Sequence, residues 1–140
     1  NVLMCPNAQK EDKARRQKSR ALLERTGLLQ FENEIASNLP YGLQRRLEIA
    51  RALATDPKLL LLDECVAGLD PENVEKLVQL VQYFQSELGI TILMVEHIMD
   101  VVLRVCDKIT ALDYGKMICE GPPDEVVKNP KVIEAYLGKG

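Results

Sequence analysis

Polar and charged residues fill Ala8 to Thr26 with few helix breakers, and a glycine, Gly27, follows directly. This predicts an amphipathic helix with a thin apolar face, anchored by Leu22 and Leu23 and C-capped at Gly27. Ile35 to Pro40 reads as a connector. Leu43, Leu47, Ala50 and Ala54 then recur at helical spacing, predicting a second helix over Leu43 to Ala54 with those four on one face. Asp56-Pro57 breaks it. After Lys58, Leu59 to Asp63 hold four leucines in a row and predict a strand buried on both faces, as in a parallel sheet.

After a sharp stop at Ala67-Gly68-Leu69-Asp70-Pro71, the pattern turns helical again. Asp at an N-cap and Pro at the first helical position make Asp70-Pro71 a good helix start. Val74, Leu77, Val78, Val81, Phe84 and Leu88 mark one face of a long helix ending at Gly89. Ile90 to Val95 predicts a second buried strand, and Met99 to Val105 a short helix. Ile109 to Leu112 and Met117 to Cys119 flank Asp113-Tyr114-Gly115, which predicts an antiparallel hairpin. Pro122-Pro123-Asp124 opens a short helix, and Val132 to Leu137 forms another. Strand and helix alternate through the middle, so the fold class is α/β, with a mainly parallel sheet flanked by helices. The boundary falls between a helical segment, 1–53, and the sheet-bearing remainder, 54–140.

Size and charge narrow the function classes. At 140 residues the chain is one domain or part of one. A formal net charge of −3 gives no general case for nucleic-acid binding. The basic residues gather in Lys10 to Arg25 and Arg45 to Arg51, runs that read as solvated helix faces. The apolar stretches stop well short of the ~20 residues of a membrane helix, and no signal-peptide pattern is visible. Cys5, Cys65, Cys106 and Cys119 are scattered without a Cys-x-x-Cys pair, which argues against zinc and suits reduced cytosolic thiols.

The chemistry concentrates where the leucine strand ends. A carboxylate pair there, Asp63-Glu64, falls where open α/β sheets bind ligands. The first acid can reach a metal and the second can polarise a water. The plain alternative is a pair of acids that solvate a turn, and for an isolated Leu-Leu-Asp-Glu that alternative would prevail. The flanking segments reverse the preference.

The stretch Leu39-Pro40-Tyr41-Gly42-Leu43-Gln44-Arg45-Arg46-Leu47-Glu48-Ile49-Ala50-Arg51-Ala52-Leu53 resembles the signature segment of ATP-binding-cassette (ABC) ATPases. Leu59 to Glu64 resembles their Walker B strand, Ala67 to Asp70 their D-loop, and Val95-Glu96-His97 their switch-histidine region. Four motifs match in order and spacing over nearly the whole chain. Within the family, the tyrosine-glycine signature, the Arg45 to Arg51 run and the closing Ile133-Glu134-Ala135-Tyr136-Leu137-Gly138 are similar to the ATPase subunits of branched-chain amino-acid importers. The glycine-rich P-loop pattern, Gly-x-x-x-x-Gly-Lys-Ser/Thr, occurs nowhere in the sequence. The resemblance therefore implies the C-terminal part of a nucleotide-binding domain, with part of the helical subdomain at its N-terminus.

The resemblance implies roles for single residues. ATP and Mg²⁺ are the cofactors; Mg²⁺ needs few protein ligands, and Asp63 is its carboxylate. Glu64 is the general base or water-orienting group, and His97, which is otherwise a lone histidine more simply read as structural, contacts the γ-phosphate. Pro40, Tyr41, Gly42 and Leu43 face the ATP of the opposite subunit, with Gly42 allowing close backbone approach and the following helix offering its N-terminal amides. Gly68 and Asp70 communicate between the two sites, Asp70 having an N-capping explanation as well. Four departures stand out: Pro40 replaces the usual signature serine, Tyr41 the first glycine, Leu43 the glutamine, and Cys65 the proline that commonly follows the glutamate. Arg45, Arg46 and Arg51 read as surface or interdomain ion-pair residues.

The implied partners are a second ATPase subunit, transmembrane permease subunits and, indirectly, a substrate-binding protein. The implied location is peripheral, on the cytoplasmic face of the inner membrane. Two other readings stand beside this one: the ATPase of a lipid or lipopolysaccharide exporter, and, for this chain alone, a non-catalytic interaction module without turnover of its own.

Overall fold

The computed structural model describes residues 6–137 and the side chains from Ala8 to Tyr136. Asn1 to Cys5 and Gly138, which belong to the helical-segment and closing-run expectations above, lie outside the described residues. The chain divides into two compact units, 1–94 and 95–140.

The first unit opens with α1, Pro6–Arg25, a largely exposed helix whose last turn turns inward. Leu22 is buried there, and the Thr26 hydroxyl, 1% exposed, donates back to the Leu22 carbonyl at 2.8 Å. Gly27 follows at φ +68°, a left-handed value that suits glycine. It lets the Leu28 amide reach back to the Leu23 carbonyl at 2.6 Å, closing the helix end. Two 3₁₀ turns, Leu29–Phe31 and Ala36–Asn38, lead to α2, Tyr41–Leu53. This helix starts two residues earlier than its apolar pattern suggests, because the Pro40 carbonyl already accepts from the Leu43 and Gln44 amides at 2.9 and 3.0 Å.

The buried face of α2 also differs from expectation. Gly42, Ile49, Ala50 and Leu53 are buried, whereas Leu43 and Leu47 are half-buried and Ala54 is exposed. Two apolar stripes overlap on this helix, and periodicity alone does not choose between them.

β1, Leu59–Asp63, is followed by α3, Pro71–Ser86, and β2, Thr91–Val95. The two strands pair. The Thr91 amide donates to the Lys58 carbonyl at 3.0 Å, so both strands start from the same end and run parallel. A long crossover through α3 is the connection such a pair requires. Asp70 caps α3 by accepting from the Asn73 amide at 3.1 Å, and Pro71 occupies its first turn, where a missing N–H costs nothing. Leu77, Val78, Val81 and Phe84 of α3 are all but fully buried, as expected of that face.

The expectation of strands buried on both faces is corrected. β1 alternates exposed and buried: Leu60 and Leu62 are inside, while Leu59 and Leu61 are exposed. On β2, Leu93 and Val95 are exposed as well. Among the described residues the sheet is two strands wide, and only one of its faces is covered.

The second unit begins with α4, Met99–Val105, followed by the antiparallel hairpin of β3, Ile109–Asp113, and β4, Lys116–Gly121. Tyr114 and Gly115 form its turn at φ 45° and 75°. Two successive left-handed residues define the tight hairpin turn whose twist matches the strands. α5, Pro123–Val126, and α6, Pro130–Val132, return over the hairpin. Val126 and Val132 bury against Ala111, with Ile109, Ile118 and Cys119 packed around them. Chain 133–137 continues as a wide helical turn, and the Tyr136 hydroxyl donates to the Leu112 carbonyl at 2.6 Å.

Candidate functional site

In the first unit, Asp63 ends β1 and Glu64 begins the turn that leaves it. Both side chains are exposed. Glu64 stands at φ +44°, an uncommon region for a residue with a side chain, costing on the order of 1 kcal/mol. The turn is closed by the Ala67 amide bonding the Glu64 carbonyl at 3.1 Å, and by the Leu69 amide bonding the Val66 carbonyl at 3.2 Å. Cys65 and Val66 are buried and root the turn in the interior. Asp63 lines a cleft of about 170 Å³ together with Arg45, Glu48, Ile49, Leu62 and Cys65.

The turn at Pro40, Tyr41, Gly42 and Leu43 packs against this region. The Tyr41 hydroxyl donates to the Ala67 carbonyl at 3.3 Å and accepts from Arg45 Nε at 2.9 Å. The Arg45 guanidinium lies 5.0 Å from the centre of the Tyr41 ring and also bonds Glu48 at 2.9 Å. Those two hydrogen bonds, Glu48 first, raise the affinity of Arg45 for its proton. Gly42 is buried, and a Cβ on it would stand 2.6 Å from the Asn73 side chain. Asn73 is itself held by Asp70, through its amide nitrogen at 2.6 Å and its backbone N–H. These bonds, the side-chain one foremost, hold the Asp70 carboxyl below the usual carboxylate range.

Tyr41, Gly42, Gly68 and Asp70 are thus brought together, Gly68, at φ +72°, lying beside the Tyr41 ring, where a Cβ would stand 3.5 Å from Tyr41 Cε1. Pro40 precedes the helix without a side-chain cap, and Leu43 is half-buried in its first turn. The structure adds a packing reason for Gly42 that involves no ligand: Asn73 takes the space of a Cβ.

His97 belongs to the second unit, and its side chain is 62% exposed. Glu96 beside it is fully buried at its side chain, where it accepts from the His97 and Ile98 amides at 3.0 and 3.4 Å. That carboxylate fixes the backbone carrying His97. Its oxygen lies 3.7 Å from His97 Nδ1, beyond hydrogen-bond reach. Sequence reasoning did not single out Asn73, quoted Glu96 only as part of the switch-histidine segment, and read Arg45 as a surface or interdomain ion-pair residue, which its pairing with Glu48 fits. An Asn three residues after an N-cap Asp was the available signal for Asn73.

Among the described residues no group of three or more metal-ligating side chains gathers, and no helix is long and apolar enough to cross a membrane. Asp63 nevertheless suits Mg²⁺, which accepts a single protein carboxylate and keeps its waters.

An α/β unit with an acid pair at a strand end, facing a glycine-bearing helix start, has a known counterpart. A family model described as "ABC transporter" matches residues 2–67. The chain belongs to the ABC transporter ATP-binding family, and its fold is that of part of an ABC-type P-loop NTPase domain. A second model, "Branched-chain amino acid ATP-binding cassette transporter", matches residues 116–140. The high-affinity branched-chain amino acid transport ATP-binding protein LivG of Salmonella typhimurium is 46% identical over 117 residues, covering 84% of this chain and 46% of that protein. The methionine import ATP-binding protein MetN of Haemophilus influenzae is 40% identical, covering 94% of this chain and 38% of that protein. The chain spans less than half the length of either relative. A crystal structure of MJ1267, an ATP-binding cassette of an ABC transporter in its ADP conformation, superposes with a TM-score of 0.81 at 32% identity, covering 90% of this chain and 51% of that one.

Proposed function

We propose that this chain supplies the signature, Walker B, D-loop and switch-histidine segments of an ATPase subunit that powers amino-acid import, with branched-chain amino acids as cargo. In this reading 1–53 belongs to the helical subdomain and 54–140 to the catalytic core. The observation that carries it is Glu64, held in a left-handed turn directly after Asp63 at the end of β1. The cargo reading is supported by the branched-chain match over 116–140 and the identity to LivG. The identity to MetN supports amino-acid import as the broader class.

ATP hydrolysis needs phosphate charge neutralised and a water placed for attack on the γ-phosphate. Bound Mg²⁺ supplies the neutralisation. Asp63 is the carboxylate that would hold it, directly or through its waters. Glu64 orients the water and takes its proton. His97 donates towards the γ-phosphate. Pro40 to Leu43, with the first amides of α2, face the nucleotide held by a second ATPase subunit, and Gly68 and Asp70 carry the state of one site to the other. The assembly sits at the cytoplasmic face of the inner membrane against permease subunits, which receive cargo from a substrate-binding protein. The sequence carries no glycine-rich phosphate cradle, so the 140-residue chain alone is expected to bind ATP weakly and not to turn it over.

The test is Glu64→Gln in an assembled transporter that contains this chain. Turnover should fall by at least about a hundredfold, the usual contribution of a positioned base, with ATP binding retained. Turnover at the wild-type rate would overturn the assignment.

A further inference from the structure

The signature turn and the segment after β1 meet through two separate links, and one of them uses a residue that no motif assigns. Resting on the ATPase reading above, we propose that Tyr41 and Asn73 are positioning residues that lock the signature turn to Ala67–Asp70, so that the two segments move as one body. The first link is polar. Tyr41 has one hydroxyl proton, which goes to the Ala67 carbonyl, and its oxygen accepts from Arg45 Nε. Arg45 holds the ring in place from above, and is itself anchored to Glu48. The ring then lies 3.5 Å from where a Cβ of Gly68 would stand.

The second link is steric. The Asn73 side chain fills the space beside Gly42 and cannot retreat without breaking its Nδ2 hydrogen bond to Asp70. A shift of the first turn of α2 therefore presses on Asn73 and, through it, on the cap of α3. A shift of Ala67–Asp70 pulls on Tyr41. A ligand that moves one segment must move the other, and such coupling is reciprocal.

The experiment is amide hydrogen exchange, resolved by residue, on the whole chain and two near-isosteric variants. Tyr41→Phe removes the hydroxyl and keeps the ring. Asn73→Asp keeps the shape and sets a second carboxylate against Asp70. Tyr41→Phe should speed exchange at the Ala67 and Leu69 amides by about three- to tenfold, the factor one net hydrogen bond provides. Those amides are protected by their bonds to Glu64 and Val66, far along the chain from the substitution. Asn73→Asp should speed the Leu43 and Gln44 amides by a similar factor. The Thr91 amide, bonded to the Lys58 carbonyl, should keep its rate and so report that the unit has not simply loosened. A residue that only fills space would change its own neighbourhood alone. Acceleration confined to each substituted segment, or equal acceleration at Thr91, would overturn the proposal. In the assembled ATPase, Tyr41→Phe should lower kcat with the single-subunit ATP affinity unchanged. A Glu64→Gln subunit with full turnover would refute the ATPase reading, and the exchange pattern would still decide the coupling.

Discussion

The two strand pairs of this molecule are held by different means. The β3–β4 pair is built locally: its register runs from Ile109 opposite Gly121 to Asp113 opposite Lys116, around a two-residue turn. A cross-strand Thr110–Glu120 hydrogen bond of 2.9 Å and a Lys108–Glu120 ion pair of 2.7 Å lie on its wet side. The β1–β2 pair has no such local device. Its strands are separated by a whole helix, and its first unit buries Leu60 and Leu62 together with Leu77, Val78, Val81 and Phe84 of α3. It leaves Leu61 65% and Leu93 60% exposed. The hairpin is specified by its turn, whereas the parallel pair depends on packing between residues far apart in sequence.

That contrast can be broken most forcefully at Phe84, which is fully buried. Phe84→Ala should cost about 3–5 kcal/mol. Urea unfolding followed by exchange should show the Thr91 amide losing protection while the β3–β4 amides keep theirs. Loss of both together would show that the two units unfold as one.

A smaller effect is expected at the bare face. Contiguous exposed apolar strand surface promotes association, so the chain should form concentration-dependent oligomers. The pair Leu61→Lys and Leu93→Glu should weaken that association by at least about tenfold, the factor that some 1.4 kcal/mol of lost burial implies. Sedimentation velocity measures it, and an unchanged profile would place the contact elsewhere.

Next in size is the hairpin turn. Gly115 at φ +75° tolerates no side chain without strain, so Gly115→Ala should lose about 1–2 kcal/mol. Tyr114→Asn, at φ +45°, should instead gain a few tenths of a kcal/mol or more, since Asn accepts the left-handed region. Thermal unfolding of the second unit reads both. A neutral Gly115→Ala would mean that the turn does not set the register.

The weakest expected effect is on acid stability. The Lys108 hydrogen bond, and then that of Thr110, holds the Glu120 carboxyl below the usual carboxylate range. A depressed folded value contributes stability that is present above the unfolded pKa, about 4, and is lost as pH falls through the folded value. The Tm difference between wild type and Glu120→Gln should therefore shrink as pH falls from 7 to 3. Asp70, held low by Asn73, should behave with the same sign in the first unit.

Legibility in the sequence followed the same divide. The start and the buried face of α3 could be read because Asp70, Pro71 and the spacing of Leu77, Val78, Val81 and Phe84 all act within one helix, although the helix ends at Ser86, three residues before the Gly89 its pattern suggests. The hairpin could be read because Tyr114-Gly115 sits between alternating strands. The face of α2 could not, since its burial is decided by Asn73 against Gly42 and by the turn at Thr26, where Arg46 bonds a carbonyl twenty residues away. The exposure of Leu59 and Leu61 could not either, because four leucines state that a strand is apolar and not what lies against it. In the candidate site, the acid pair stood out in the sequence only through the motifs that flank it, whereas the Tyr41–Ala67 and Glu96–His97 bonds depend on backbone geometry that no motif encodes.

The left-handed backbone at Glu64 has one more consequence. A glycine or asparagine there would relieve the strain, so selection for folding alone would discard glutamate at this position. A library sorted only for thermal tolerance should drift away from Glu64 while retaining Leu60 and Phe84. The residues such a sort rejects would then mark the places where this chain serves something other than its own fold.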